Sequence, residues 1–422
     1  MKTITFMLLW LLFPAWVLMA QEPVTLEQCQ QWARENHPVL RQSQLYQQML
    51  ELKSASNATA YLPQVTLNGQ ASYQSDVTKI GLSLPNMTIP TVDKDQYKLY
   101  LDLRQTIWDG GLSKARQLID ESENAGNQQQ VEVELYQIRE NVNRFFFTSF
   151  LIQENIEILT QKTATLSERR RMMESAVKNG MMLSSELDQL LADLIKTDQM
   201  ILELKSNREI VLSALAIMTG KAADQLQSLE LGDETISTDG LLARPEIDLF
   251  SRQRELMDAH SEILKKQRNP KVFGFGQAGY GKPGLNMLNN EFDTYYLVGL
   301  GFNWSVLDWK NTSRQRQVLK LQQEIVLSKQ ESFVRSIDIA SDQQNKQIIQ
   351  LSELLKTDEQ LIQVRGRITK TSASKMENGA ITTADYIQDL NAETTARLTL
   401  ETHRIQLKEA RVKLATIKGN QY

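Results

Sequence analysis

Side chains able to do chemistry are sparse and scattered in this chain. The three histidines, His37, His260 and His403, are too far apart to make a ligand set by local spacing. The single thiol, Cys29, lies in Thr25-Leu26-Glu27-Gln28-Cys29, which opens as a helix with a capping box, and one cysteine cannot pair within the chain. The sequence holds no nucleophile motif, phosphate loop or metal-ligand cluster, and no helix follows Gly274 and Gly276 where a dinucleotide fingerprint needs one. The carboxylates best placed for a task stand just past two Asn-Gly steps. They are Glu186 after Asn179-Gly180, and Asp385 and Asp389 after Asn378-Gly379. Taken alone, such groups are solvated helix-start residues that favour the helix dipole. Catalysis is not expected, and neither a cofactor nor a metal is implied.

The frame that positions these carboxylates is repeated. Pro38 to Pro245, Pro63 to Pro270 and Gly69 to Gly276 are each 207 residues apart. Tyr97 to Tyr296, Asp109 to Asp308, Gly180 to Gly379 and Gly220 to Gly419 are each 199 apart. One eight-residue length difference therefore sits between the strands of a hairpin, and nothing else slips. Two constant offsets across the chain imply an internal duplication. The first repeat is expected over 21–230 and the second over 231–422, after a signal peptide at 1–20. Lys2, an apolar run to Leu18 and a small residue at Ala20 make that signal, and the run is short for a transmembrane anchor. No run of spanning length follows.

Each repeat predicts helices, two strands, a very long helix and a shorter returning helix. The strands are expected at about 64–78, 96–108, 271–281 and 294–307. The long helices are expected at about 113–178 and 312–377, and the returning ones at 184–219 and 382–418. Pro63 ends a helix by forcing the preceding residue out of the helical region. Tyr97, Leu99, Leu101 and Leu103 alternate with Lys98, Tyr100, Asp102 and Arg104, giving one apolar and one wet face. The third strand is less clean, with Phe273 and Phe275 at wet positions. Ser113 is the expected N-cap of the first long helix. Val131, Ile138, Phe145, Ile152, Leu159, Leu166 and Met173 keep a seven-residue coiled-coil period along it. In the second long helix the matching seam is Val334, Ile348, Leu355 and Ile362, with Ser341 in line and Gln344, Asp358 and Arg365 on the companion line. The 47 Lys and Arg and 51 Asp and Glu are mixed, leaving no nucleic-acid footprint.

Four strands cannot close a membrane barrel, which needs about eight or more, and an open sheet edge is forbidden in lipid. If the strands meet a membrane, the chain must oligomerise: two copies give eight strands and three give twelve. The repeated layout, Leu62-Pro63, Trp108-Asp109-Gly110-Gly111, the Asn-Gly turns and the opening from Leu26 to Pro38 resemble the TolC-like outer-membrane efflux channel family. That resemblance implies a mainly α fold with membrane β. A long α-helical coiled-coil barrel would carry four strands per chain, completing a trimeric twelve-stranded β-barrel in the outer membrane of a Gram-negative bacterium. It implies a passive exit duct for efflux or type I secretion, partnered by outer-membrane lipid, a periplasmic adaptor and an inner-membrane pump. Asn179, Gly180, Asn378 and Gly379 would then lie at the periplasmic tip and meet the adaptor, and Asp385, with Asp389 and Glu186, would ring the pore aperture. Trp108, Trp304, Trp309, Tyr97 and Tyr296, with Tyr73 and Tyr280, are ordinary strand aromatics or a membrane-interface girdle. The surface loops are expected at 79–96 and 282–293. Two other readings stand beside the channel: a periplasmic adaptor subunit, and a soluble secreted coiled-coil scaffold.

Overall fold

The computed structural model describes residues 23–78, 92–232 and 242–420. The expected signal peptide, most of the first surface loop and part of the joining segment lie outside the described residues. In order, the elements are β1 (Val24–Thr25), α1 (Leu26–Asn36), α2 (Val39–Ala58), β2 (Gln64–Tyr73), β3 (Asp95–Trp108), α3 (Leu112–Lys178), α4 (Ser184–Thr219), β4 (Leu229–Glu230), α5 (Pro245–Lys266), β5 (Lys271–Lys282), β6 (Asp293–Asn303), α6 (Asn311–Glu377) and α7 (Thr383–Lys418). The long helices α3 and α6 have 67 residues each, and α4 and α7 have 36 each. At about 1.5 Å per residue the long helices each extend roughly 100 Å.

Local chemistry sets most of these ends. Thr25 and Gln28 close a reciprocal capping box at the start of α1. Gly180 and Gly379 adopt φ of +71° and +70°, the left-handed conformation that lets α3 and α6 stop and turn back at low steric cost. The first strand ends at Tyr73, short of the expected 78, because the chain bends at Ser75 and Asp76. The last ends at Asn303, short of 307. Its partner strand begins at Lys271, opposite Asn303, immediately after Pro270, which has no N–H to extend the ladder. Trp304 therefore lies beyond the strand. The expected Ser113 cap is replaced by Asp109, whose carboxylate accepts the backbone N–H groups of Gly111, Leu112 and Ser113 at 2.8, 3.1 and 2.6 Å. A carboxylate three residues before the helix can reach several orphan donors at once, which a serine hydroxyl inside the first turn cannot.

Strands β2, β3, β5 and β6 form one antiparallel sheet in that order, so β2 and β6 are open edges. The helices pack in two hairpins, α3 with α4 and α6 with α7, bridged by α5 and by the packing of α7 on α3 and α4. One core lies where α1, α3, α4 and α7 meet, around Cys29, Ala33, Val142, Phe146, Phe147, Leu212, Leu215 and Val412. Burial pushes the Cys29 thiol up to about 12, so it behaves as a small apolar side chain. A second core, of Leu166, Met173, Leu190, Met376, Tyr386 and Leu390, joins both hairpins near the Asn-Gly turns.

The seam of α3 is buried at Val131, Leu135, Val142, Leu159, Leu166 and Met173, while Phe145 yields the core to Phe146 and Phe147. In α6 the companion line is the buried one. Gln344, Leu351, Asp358 and Ser372 face α7, and Val334, Ile348, Leu355 and Ile362 remain half-exposed. Gln344 bonds Gln347 on its own helix, and α7 supplies partners for the other two polar residues. His403 Nδ1 lies 2.6 Å from Asp358 Oδ2, and the Ser372 hydroxyl donates to the Asp389 carboxylate.

Candidate functional site

The sheet has two chemically distinct faces. On one, Val65 and Leu67 of β2, Leu99, Leu101 and Leu103 of β3, and Val298, Leu300 and Phe302 of β6 all stand exposed, the last three to 77, 76 and 77 %. Glycine and alanine fill this face on β5, at Gly274, Gly276 and Ala278, through the pairings Leu103↔Gly276 and Leu101↔Ala278. A contiguous apolar surface across four strands is not a water-facing surface. The opposite face carries Asn68, Gln70, Lys98, Tyr100, Asp102, Arg104 and Gln277, with Asp102 accepting a hydrogen bond from Gln277 Nε2 at 2.9 Å. The two edges leave unpaired ladder groups on β2 and β6.

The aromatic residues singled out from sequence border the apolar face. Trp108 closes β3, and Trp304 and Trp309 follow β6, with Trp309 exposed to 83 %. Tyr97 and Tyr296 lie towards the other end of the strands, with Tyr73 and Tyr280, and Phe292 stacks on Tyr280 at 5.3 Å between centroids.

Where the sheet passes into the long helices, two aspartates hold the backbone. Asp109 is buried and also accepts from the Tyr61 hydroxyl at 2.8 Å. Burial alone would raise its carboxyl, but the hydrogen bonds from Ser113, Tyr61 and Gly111 outweigh it and lower the pKa to about 2. Asp308 repeats the arrangement, accepting from the N–H groups of Lys310 and Thr312 at 3.1 and 3.0 Å.

At the far end of the hairpins the structure gathers the expected tip residues around the start of α7. Asn179 and Asn378 cap the C-termini of α3 and α6, and Gly180 and Gly379 follow. Asp385 is exposed and closes a capping box with Thr382, accepting from its N–H at 3.0 Å and its hydroxyl at 2.7 Å. Those bonds lower its pKa. Glu186, from the other hairpin, accepts the N–H of Thr383 at 2.7 Å. Both carboxylates thus serve one helix start, where negative charge meets orphan N–H groups and the positive end of the dipole. Asp389 instead faces α6, through Ser372 and a backbone bond to Thr369 Oγ1 of 3.2 Å.

Sequence reasoning missed the residues that lock the hairpins together here. Arg169 of α3 pairs with Glu377 of α6, and its guanidinium lies 5.6 Å from the ring of the buried Tyr386 in α7. Higher up, the buried Lys162 contacts Asp193 at 2.8 Å and Thr197 at 2.9 Å, and Asn391 donates to Asp193 at 3.0 Å. No motif marks these pairs; each joins residues far apart in sequence. Among the described residues, no group of His, Cys, Asp and Glu could hold a metal ion, and no helix is long and apolar enough to cross a membrane.

Residues 30–221 match the family model described as outer membrane efflux protein. Solved outer membrane channels share the whole fold. VceC from Vibrio cholerae superposes with a TM-score of 0.66 at 14 % identity, covering 94 % of this chain and 96 % of that one. The family match thus covers the first of the two helical hairpins and the strands before it, and the shared fold extends over nearly all of the chain. The CmeC outer membrane channel of Campylobacter jejuni gives 0.65 at 16 % identity over 93 % of this chain and 85 % of its own. The MtrE outer membrane channel of Neisseria gonorrhoeae, in its open state, gives 0.64 at 13 % identity over 94 % and 89 %. No match is found among curated proteins. Strands in a membrane must present apolar side chains outward and leave no edge unpaired; this sheet meets the first demand and, with two open edges, not the second.

Proposed function

We propose that this chain is one protomer of a trimeric exit duct. Three four-stranded sheets would close β2 against β6 of the next copy into a twelve-stranded barrel in the outer membrane, and the helical hairpins would continue it as a hollow α-barrel through the periplasm. Equal helix lengths in the two halves, 67 with 67 and 36 with 36, support an internal duplication with repeats at 21–230 and 231–422. The observation that carries the reading is the apolar sheet face ending in two open edges. It also disfavours a soluble scaffold, which would cover that face. Two hairpins, not one, disfavour an adaptor subunit.

The duct is passive and does no covalent chemistry. An inner-membrane pump and a periplasmic adaptor would supply cargo at the Asn179-Gly180 and Asn378-Gly379 turns, beside the exposed Met181 and Leu183. Three copies of Asp385 and Glu186 would surround the aperture, and the Arg169–Glu377 pair would hold the two hairpins of each protomer together there. Trp108, Trp304 and Trp309 would mark the periplasmic membrane interface, and Tyr97 and Tyr296 the outer one. The test is reconstitution of the purified protein in planar bilayers, together with carbonate extraction of membranes. Discrete conductance steps and resistance to carbonate are expected. Release by carbonate with no conductance would refute the duct.

A further inference from the structure

We infer that the wet face of the sheet carries a selectivity site for anionic aromatic cargo, built from Arg104, Phe273 and Phe275. This rests on the channel reading above, in which that face lines the barrel. The two phenylalanines break the polar alternation of β5, and the structure shows what they do there. The register sets Arg104 opposite Phe275 and Phe275 opposite Gly299, with Phe273 opposite Gly301 one rung nearer the helices. A Cβ on Gly299 would lie 2.5 Å from the Phe275 ring, and one on Gly301 would lie 2.6 Å from the Phe273 ring. The rings therefore lie down across the next strand. They present their flat sides along the wall, with centroids 6.3 Å apart.

The Arg104 guanidinium carbon sits 4.1 Å from the Phe273 centroid. A guanidinium on a ring face is held by the ring quadrupole and keeps N–H groups at its rim free to donate. Among the described residues no carboxylate pairs with Arg104. The acid nearest along its own strand face, Asp102, is taken up by Gln277. Lys271 stands on the same face at the start of β5, so this level of the wall is cationic. Packing over glycines explains why the rings are flat. It does not explain an unpaired guanidinium stacked on one of them. A fork that matches a carboxylate or sulfonate, beside the half-exposed Phe275 ring, fits an anion carried on an aromatic body. A closed barrel would repeat the set three times at one level, a few residues inside the strand ends at Trp108, where all cargo would pass.

The test uses the full-length protein in planar bilayers, with pyrene-1-sulfonate as probe and inorganic sulfate as control. Pyrene-1-sulfonate should block the current at concentrations where sulfate does not. Arg104→Gln should weaken the block about tenfold, the scale of one charge-assisted contact, and shift the reversal potential in a salt gradient towards cation preference. Arg104→Lys should keep the reversal potential and lose most of the block, separating charge from fork. Equal block of wild type and Arg104→Gln, or sulfate as effective as the aromatic probe, would overturn the site while leaving the duct intact. No conductance from the wild type would overturn the duct itself, and the site with it.

Discussion

The strand-to-helix junction allows a sharp test of the forces that hold the sheet on the long helices. Asp109→Asn keeps one acceptor oxygen and replaces the other with an amide donor facing the Ser113 N–H, which now approaches at 2.6 Å. The carboxyl moves from 3.8 to about 2 on folding, through bonds from Ser113, Tyr61 and Gly111 that outweigh its burial. That gap corresponds to ~2.4 kcal/mol of stabilisation, at the upper end for a helix cap. If opening of the first turn is limited by this cap, amide exchange over 111–115 should speed up by roughly 60-fold in the variant. The unfolded carboxyl binds protons first, so the stabilisation is complete above about pH 4 and disappears as pH falls through about 2. The melting difference between wild type and variant should close over that window. Asp308, outside the core and without a tyrosine partner, is also lowered, chiefly by the Thr312 hydrogen bonds, and Asp308→Asn should have the smaller effect. Exchange unchanged in Asp109→Asn, or a larger effect at Asp308, would refute the reasoning.

At the tip, Asp385→Ala should raise single-channel conductance in planar bilayers and loosen the first turn of α7, since Asp385 is both aperture candidate and cap; unchanged conductance sinks the aperture role. Trp309, exposed to 83 % just beyond β6, should be quenched by brominated lipid in a variant carrying it as the only tryptophan, and an unquenched spectrum removes it from the girdle. Phe146→Ala, in the fully buried core between α1, α3, α4 and α7, should destabilise the protein by about 3–5 kcal/mol in unfolding measurements; a loss below about 1 kcal/mol would mean that this core does not hold the hairpins together.

What could be read from sequence was mainly backbone punctuation and period. Pro63, Pro270 and the Asn-Gly steps act through the φ of one or two residues, and strand alternation acts through the two-residue repeat, so both are local. The contacts that decide the rest are not. Asp109 displaced Ser113 as the cap because a buried carboxylate with a tyrosine partner 48 residues away could satisfy more donors. The buried line of α6 runs through Gln344 and Asp358, which an apolar periodicity overlooks, because His403 makes Asp358 tolerable inside. Glu186 reaches the N–H of Thr383 across 197 positions, and nothing near either residue signals it. Phe273 and Phe275 looked misplaced until the facing glycines of β6 came into register with them.

The central claim is that the open sheet is completed by other copies of the same chain. The most direct measurement is the protein mass in detergent, by light scattering with the detergent contribution removed, on material extracted from membranes. The account predicts three chains per particle, each 48.3 kDa before any processing. A two-chain particle would contradict the twelve-stranded barrel. A monomer that stays in solution without detergent would mean that the apolar face never meets lipid, and would contradict the duct altogether.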